Sequence, residues 1–164
     1  MTKIAIIVII LMFLSISPLC LMSQISNSMK IESTDIINNH TRSTIYVGNG
    51  QTYSKIQDAI DAASIGDTIR VWAGTYYEHI YLNETISLIG NGTDETVING
   101  TMNKGIVNVE SPNCLISNLT IKGITRNYLA GLKLNSEGHT IFNCLFEDSY
   151  VGISPNGNHK GISI

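Results

Sequence analysis

This sequence of 164 residues is poor in charge. It carries 10 Lys and Arg and 13 Asp and Glu, or 14% charged residues, against roughly 25% in an average soluble protein. Long amphipathic helices need a charged outer face, so the deficit excludes them as the main building element. Gly, Asn, Ser and Thr fill the gap, and that mixture suits short strands joined by turns. There is no basic excess either. A formal net charge of -3 supplies no electrostatic reason to bind nucleic acid or an anionic membrane surface, and nucleic acid is excluded as a partner.

One long hydrophobic run stands out against this background. Lys3 is followed by Ile4-Ala5-Ile6-Ile7-Val8-Ile9-Ile10-Leu11-Met12-Phe13-Leu14, and the apolar character continues weakly to Met22 with no charge before Lys30. A positive start and an apolar stretch of this size form a secretory signal over 1–23, with Pro18 and the serines suiting a cleavage region. The same run is long enough to serve as an uncleaved membrane anchor. Ser17-Pro18-Leu19 before Cys20 makes a poor lipoprotein box. Segment 24–44 is polar and aperiodic and reads as a flexible spacer. The expected location is therefore extracellular or at the cell surface, touching membrane only through the N-terminal segment.

From residue 45 the pattern becomes structural. Ile45-Tyr46-Val47 is a short strand closed by Gly48-Asn49-Gly50. Ser54 and Gln57 then stand at capping-box spacing, followed by an apolar stripe at Ile56, Ala59, Ile60 and Ala63, with Gly66 as the stop. The stripe is narrow and half alanine, so this helix should lie flat as a lid. After Asp67 the apolar residues come in short segments: Ile69-Val71, Ile80-Leu82, Ile86-Ile89, Val97-Ile98, Ile106-Val109, Leu115-Ile116, Leu119-Ile121, Leu132-Leu134, Ile141, Leu145-Phe146 and Val151-Ile153. Grouped in threes they repeat about every 25 residues, a solenoid period. The clearest overlay sets Leu115–Ile121 on Thr140–Phe146, with Leu119 on Cys144 and Ile121 on Phe146. Gly105-Ile106, Gly131-Leu132 and Gly152-Ile153 mark another equivalent strand. An antiparallel sandwich would need tight hairpins and would not generate that overlay.

The overlay carries further expectations. Asn118 falls on Asn143, which fits an Asn ladder of amides bonded from coil to coil. Cys144 takes a core position and Cys114 a different place on the perimeter, so the two read as free buried thiols rather than a bridge. Asn39, Asn83, Asn91 and Asn99 begin sequons in polar or turn-like stretches and are candidate glycosylation sites, whereas Asn118 is reserved for the ladder. Gly161-Ile162-Ser163-Ile164 stops within a strand pattern, which suggests a truncated product or an end covered by a partner.

Ile56-Gln57-Asp58-Ala59-Ile60-Asp61-Ala62-Ala63, Gly66-Asp67-Thr68-Ile69, Ala73-Gly74-Thr75-Tyr76-Tyr77-Glu78 and Ser87-Leu88-Ile89-Gly90 together resemble the opening of pectin-lyase-like β-helix proteins. The later coils look like those of carbohydrate-active β-helices and of NosD-type periplasmic proteins. The resemblance and the repeat give the expected fold class: an all-β, single-stranded, right-handed parallel β-helix over 45–164, of about three and a half coils, with an N-terminal capping α-helix.

What the resemblance implies about activity can be set against the residues. Pectin methylesterases use a Gln, an Asp and a Gln-Asp pair, and these positions fall near Tyr128, near Glu137 and on Tyr150-Val151. Val151 can neither attack nor carry a proton. Lyase chemistry needs clustered carboxylates and a base; Asp94-Glu95 and Glu147-Asp148 are the only adjacent acid pairs, and Lys122, Arg126 and Lys133 look scattered. A galacturonase-like turn is represented only by Gly138-His139-Thr140. The NosD likeness implies copper, but His40, His79, His139 and His159 are dispersed and no Met joins them. The sequence thus points to no catalytic residue, no metal ligand set and no cofactor. The expected function is a non-catalytic exported surface protein with a structural, adhesive or glycan-contacting role, its partners being cell-surface glycans or other surface proteins. The alternatives are a carbohydrate-active enzyme with its site on further coils and a copper-handling periplasmic protein.

Overall fold

A computed structural model describes residues 41–100, 106–123 and 130–155 of the chain. The expected signal or anchor at 1–23 and nearly all of the expected spacer lie outside the described residues. No helix among the described residues is long and apolar enough to cross a membrane.

The strands are β1 Thr44–Val47, β2 Thr68–Val71, β3 Gly74–Tyr76, β4 Ile80–Leu82, β5 Ser87–Ile89, β6 Thr96–Asn99, β7 Val107–Val109, β8 Leu115–Lys122, β9 Ala130–Leu134, β10 Thr140–Glu147 and β11 Val151–Pro155; helix α1, Ile56–Asp61, follows β1. All the pairings between strands are parallel, and they join each strand to one on the next coil. Three faces result. The first stacks β1, β2, β5 and the front halves of β8 and β10; the second stacks β3, β6 and the rear halves of β8 and β10; the third stacks β4, β7, β9 and β11. The chain is a right-handed parallel β-helix of about four turns.

Alternation along each strand decides what points inward. Ile69, Leu88, Ile116 and Ile141 stack in one buried column, Ile98 and Ile121 in a second, and Val107 and Leu132 in a third. Each fully buried Ile or Leu contributes about 1.5–3 kcal/mol relative to exposure. β-Branched side chains suit these positions because their stiff χ1 packs well on a pleated surface.

β8 and β10 each turn from the first face to the second at one residue, Asn118 (φ 56°) and Asn143 (φ 49°). Asparagine tolerates this left-handed conformation better than other side chains. The Asn143 Nδ2 donates to Asn118 Oδ1 at 2.7 Å, one coil away. On the preceding coil a loop separates β5 from β6. There a Cβ on Gly90 would overlap the Asn118 carbonyl oxygen, so only glycine fits beneath this corner.

The register of β10 on β8 is the overlay read from the sequence, with Ile141 on Ile116, Cys144 on Leu119 and Phe146 on Ile121. The third face corrects it by one residue. Leu132 pairs with Ile153 on one side but with Val107, not Ile106, on the other. Ile106 is drawn into the corner instead. Its carbonyl accepts from Ile80 N–H at 2.8 Å, and its side chain fills the space that a Cβ on Gly100 would occupy. The coil length also varies. It runs from 19 residues (Thr68 to Ser87) to 28 (Ser87 to Leu115) and 25 (Leu115 to Thr140), because the turns between faces absorb insertions.

Helix α1 closes the first coil with Ile56, Ala59 and Ile60 buried beneath it, but the expected capping box is not formed. Lys55 is the N-cap, no side chain bonds from that position, and Ser54 stays exposed. The cap comes from the neighbouring coil. Glu78 Oε1 accepts from Ile56 N–H at 2.9 Å and Oε2 from Gln57 N–H at 3.0 Å. A carboxylate at a helix N-terminus outcompetes a serine hydroxyl, since it adds charge to the same hydrogen bonds. Gln57 turns away to β4, where its Oε1 accepts from Tyr81 N–H at 2.8 Å and its Nε2 donates to the Tyr81 carbonyl at 3.3 Å. An amide side chain thereby imitates the next strand and satisfies the open edge of the third face.

Replacing Glu78 with Ala should cost about 1–2 kcal/mol in urea unfolding, while Ser54→Ala should stay within about 0.5 kcal/mol. Equal losses from both substitutions would restore the capping box.

Candidate functional site

The third face is where the methylesterase resemblance would put chemistry. Its outward row is Tyr81, Asn108, Lys133 and Ser154, in register on β4, β7, β9 and β11, with Gly131 and Gly152 beside it. None of these four is a carboxylate, and Asn108 among them is buried; Glu110, exposed just past β7 on the same side, accepts from Asn135 Nδ2 at 2.6 Å. Val151 pairs with Ala130 and shares the inward parity of Ile153, so the position needed for an acid faces the core. Tyr150 is largely exposed. Glu137 is exposed in the turn between β9 and β10, where its carbonyl accepts from Asn113 N–H at 2.9 Å. Tyr128 lies outside the described residues.

The second face does bring a base and acids together. Lys122 Nζ is 2.9 Å from Glu147 Oε2 and 3.6 Å from Asp148 Oδ2. Of the bases that look scattered in sequence, this one is therefore placed on an acid pair. The 25-residue repeat contains the signal for it, since Glu147 sits directly over Lys122. The hydrogen bond and the negative charge of Glu147 raise the pKa of Lys122, with Asp148 adding to the effect. A lyase base must be neutral to accept a proton, so this arrangement is the wrong one for that chemistry. The other acid pair is occupied differently: Glu95 Oε2 accepts from Asn91 Nδ2 at 2.6 Å. Arg126 lies outside the described residues.

Ser136 and His139 form a contact that superficially resembles a nucleophile and its base. Ser136 Oγ is 3.2 Å from His139 Nε2. The same Nε2 lies closer, 2.8 Å, to the Ser136 carbonyl oxygen. A carbonyl accepts only, so Nε2 carries the hydrogen and cannot take one from the hydroxyl. The imidazole, buried just before β10, ties the turn together through Ser136.

Among the described residues no group of three or more His, Cys, Asp and Glu could hold a metal ion; His40 and His159 fall outside them. The two cysteines among the described residues are free, Cys114 buried and Cys144 half-buried; Cys20 lies outside them. Cys114 Sγ approaches the Ser111 carbonyl at 3.2 Å, and Cys144 Sγ the Phe142 carbonyl at 3.5 Å. Burial raises the pKa of Cys114 and pushes that of Cys144 up to about 11. Asn83 is exposed after β4, Asn91 is exposed and bonded to Glu95, and Asn99 is half-buried in register with Lys122. Asn39 lies outside the described residues. Large apolar side chains on the surface went unremarked in the sequence, because alternation alone does not separate an exposed aromatic from a core one. Tyr46, Trp72, Tyr77, Tyr81, Phe142 and Tyr150 all stand out to solvent.

No protein-family model matches the chain, and no curated protein matches it either. Solved structures do. A pectin methylesterase from Aspergillus niger matches with a TM-score of 0.54 and 23% identity, over 62% of this chain and 42% of that one. A pectin methylesterase mutant in complex with a hexasaccharide matches with a TM-score of 0.54 and 16% identity, over 76% and 46%. The pectin methylesterase from Erwinia chrysanthemi matches with a TM-score of 0.53 and 15% identity, over 74% and 46%. At these identities the likeness is one of fold, that of the pectin-lyase-like right-handed β-helix. The chain spans less than half the length of these enzymes.

The thiol environment makes a chemical prediction. With a pKa near 11, about one Cys144 in a thousand is thiolate at pH 8, so iodoacetamide should alkylate it about a hundredfold more slowly in the native chain than in urea. Native labelling should accelerate as pH rises toward that pKa. Fast native labelling at pH 8 would contradict the assignment.

Proposed function

We propose that the chain is an exported, non-catalytic β-helix whose coil surface contacts glycans, in a structural or adhesive role. The observation that carries this reading is the third face, whose outward row of Tyr81, Asn108, Lys133 and Ser154 holds no carboxylate, with Val151 turned to the core. Hydrolysis or elimination on a uronate needs a convergent acid, a nucleophile or a neutral base; the outward row on the strands supplies none of them, and Glu110, just past β7, stands alone and accepts from Asn135 Nδ2 at 2.6 Å. The lysine on the second face is held protonated. Exposed aromatic side chains, in contrast, are what a sugar-contacting surface uses. The apolar run at 4–14 supports export to the outside of the cell.

A second reading is favoured by one specific finding. The solved structures with this fold are pectin methylesterases, of which the chain spans 42–46%. A carbohydrate-active enzyme whose catalytic groups lie on other coils is consistent with that share.

The non-catalytic reading of these coils is tested in solution. The full chain incubated with methylesterified pectin should release no methanol, and with polygalacturonate should generate neither unsaturated ends nor new reducing ends, while isothermal calorimetry registers glycan binding. Turnover of either polymer would overturn the non-catalytic reading.

A further inference from the structure

The outward side of the first two strands carries a group of residues that none of the reactions above uses. On β1 and the residues flanking it, Arg42, Thr44, Tyr46 and Gly48 share one parity; on β2 and its flanks, Gly66, Thr68, Arg70 and Trp72 share the same side. Thr44 pairs with Thr68 and Tyr46 with Arg70, so their side chains lie side by side at about the 4.8 Å spacing of neighbouring strands. Two glycines give the patch its shape. A Cβ on Gly48 would stand 2.9 Å from the Trp72 Cβ, and one on Gly66 would stand 3.4 Å from the Arg42 side chain. Each large side chain therefore leans across onto a glycine of the opposite strand. Tyr46 is 46% and Trp72 47% exposed, so each aromatic keeps about half of its surface in solvent.

The charge is one-sided. Arg42 and Arg70 are both exposed, and among the described residues neither forms an ion pair. No acidic side chain shares their side of the two strands. The nearest one in sequence, Asp67, is buried and turned away. Its Oδ1 accepts from Ser43 N–H at 2.8 Å and its Oδ2 from Ser64 N–H at 2.9 Å. In a chain of net charge -3, two uncompensated guanidinium groups beside two half-exposed aromatics are a local reversal of sign.

We propose that this patch is a binding site for an acidic oligosaccharide. A guanidinium holds a carboxylate or sulfate through two parallel hydrogen bonds. Aromatic rings present flat apolar area to the C–H face of a pyranose, and Thr44 and Thr68 supply hydroxyls between them. Other occupants fit less well. A stable protein interface buries about 800 Å² on each partner, more than this group of side chains offers. An anionic membrane surface is held by clusters of several basic residues, and two arginines on a chain of net charge -3 are too few. The proposal rests on the glycan-contacting reading and places that contact on the first face, away from the third face where a methylesterase-like site would lie.

Trp72 is the only tryptophan in the chain, so its fluorescence reports on this patch alone. The full chain is titrated with a galacturonate hexamer, a heparin-derived hexasaccharide, a neutral cellohexaose and phosphatidylglycerol vesicles, by fluorescence and by calorimetry. One or both acidic sugars should change the Trp72 emission saturably, and salt should weaken the effect. The sugar that succeeds tells carboxylate from sulfate recognition. Arg42→Ala and Arg70→Ala should each weaken binding about tenfold without moving the urea midpoint. Trp72→Phe should abolish the optical signal while calorimetry still registers binding. Calorimetric binding of an acidic sugar with unchanged Trp72 emission and no response to either arginine would overturn this site and leave the glycan reading standing. Equal binding of cellohexaose, or a response to vesicles alone, would overturn the acidic-sugar assignment. Absence of calorimetric binding to every sugar would overturn both.

Discussion

Everything in this molecule depends on coils burying one another. A single turn of short strands has no interior: Ile69, Leu88, Ile116 and Ile141 become core only because parallel pairing sets each above the last. The stacking also leaves the first coil with a bare apolar end and a row of unpaired backbone groups. Helix α1 covers the first with Ile56, Ala59 and Ile60, and the Gln57 side chain answers part of the second by pairing with the Tyr81 backbone. Glu78 then fixes the helix to the coil below it. The lid is held by the solenoid it covers, so closure and stacking are one cooperative event.

Much of this was legible in the residues before any coordinates. The Leu115–Ile121 overlay on Thr140–Phe146 depends on identical apolar spacing, and spacing is what sets register when one face is buried. The readings that failed were those resting on one local pattern. Ser54 and Gln57 have capping-box spacing, yet the N-terminus of α1 is satisfied by Glu78, more than twenty residues away. Tertiary contact supplied a better partner than the local one. Gly105-Ile106 looked equivalent to Gly131-Leu132, but Ile106 is drawn to the corner by the space that Gly100 leaves open. A glycine's partner across a coil is invisible to a linear pattern.

Chemistry was legible to a different depth. Absence of an acid at Val151 could be read from sequence, and the inward parity of that residue adds a second reason. The Lys122 contact with Glu147 and Asp148 was missed, although the repeat that aligned the apolar residues aligns these charges too. The Arg42, Tyr46, Arg70 and Trp72 patch was beyond reach of sequence reading. Its members are spread over about thirty residues, and what assembles them is the pairing of β1 with β2 and the two glycines beneath. In a β-helix the core announces itself by period, while the outward faces are composed of residues that share only a parity.

The central claim is that this fold, seen elsewhere in pectin methylesterases, here offers sugar a surface to rest on rather than a centre that transforms it. The most direct measurement is a crystal structure of the chain with an acidic hexasaccharide. The account predicts sugar density on the first face, one ring against Trp72 or Tyr46 and an acidic group on Arg70, with the third face bare. Density lying across Asn108 and Lys133 on the third face, with the first face empty, would contradict it.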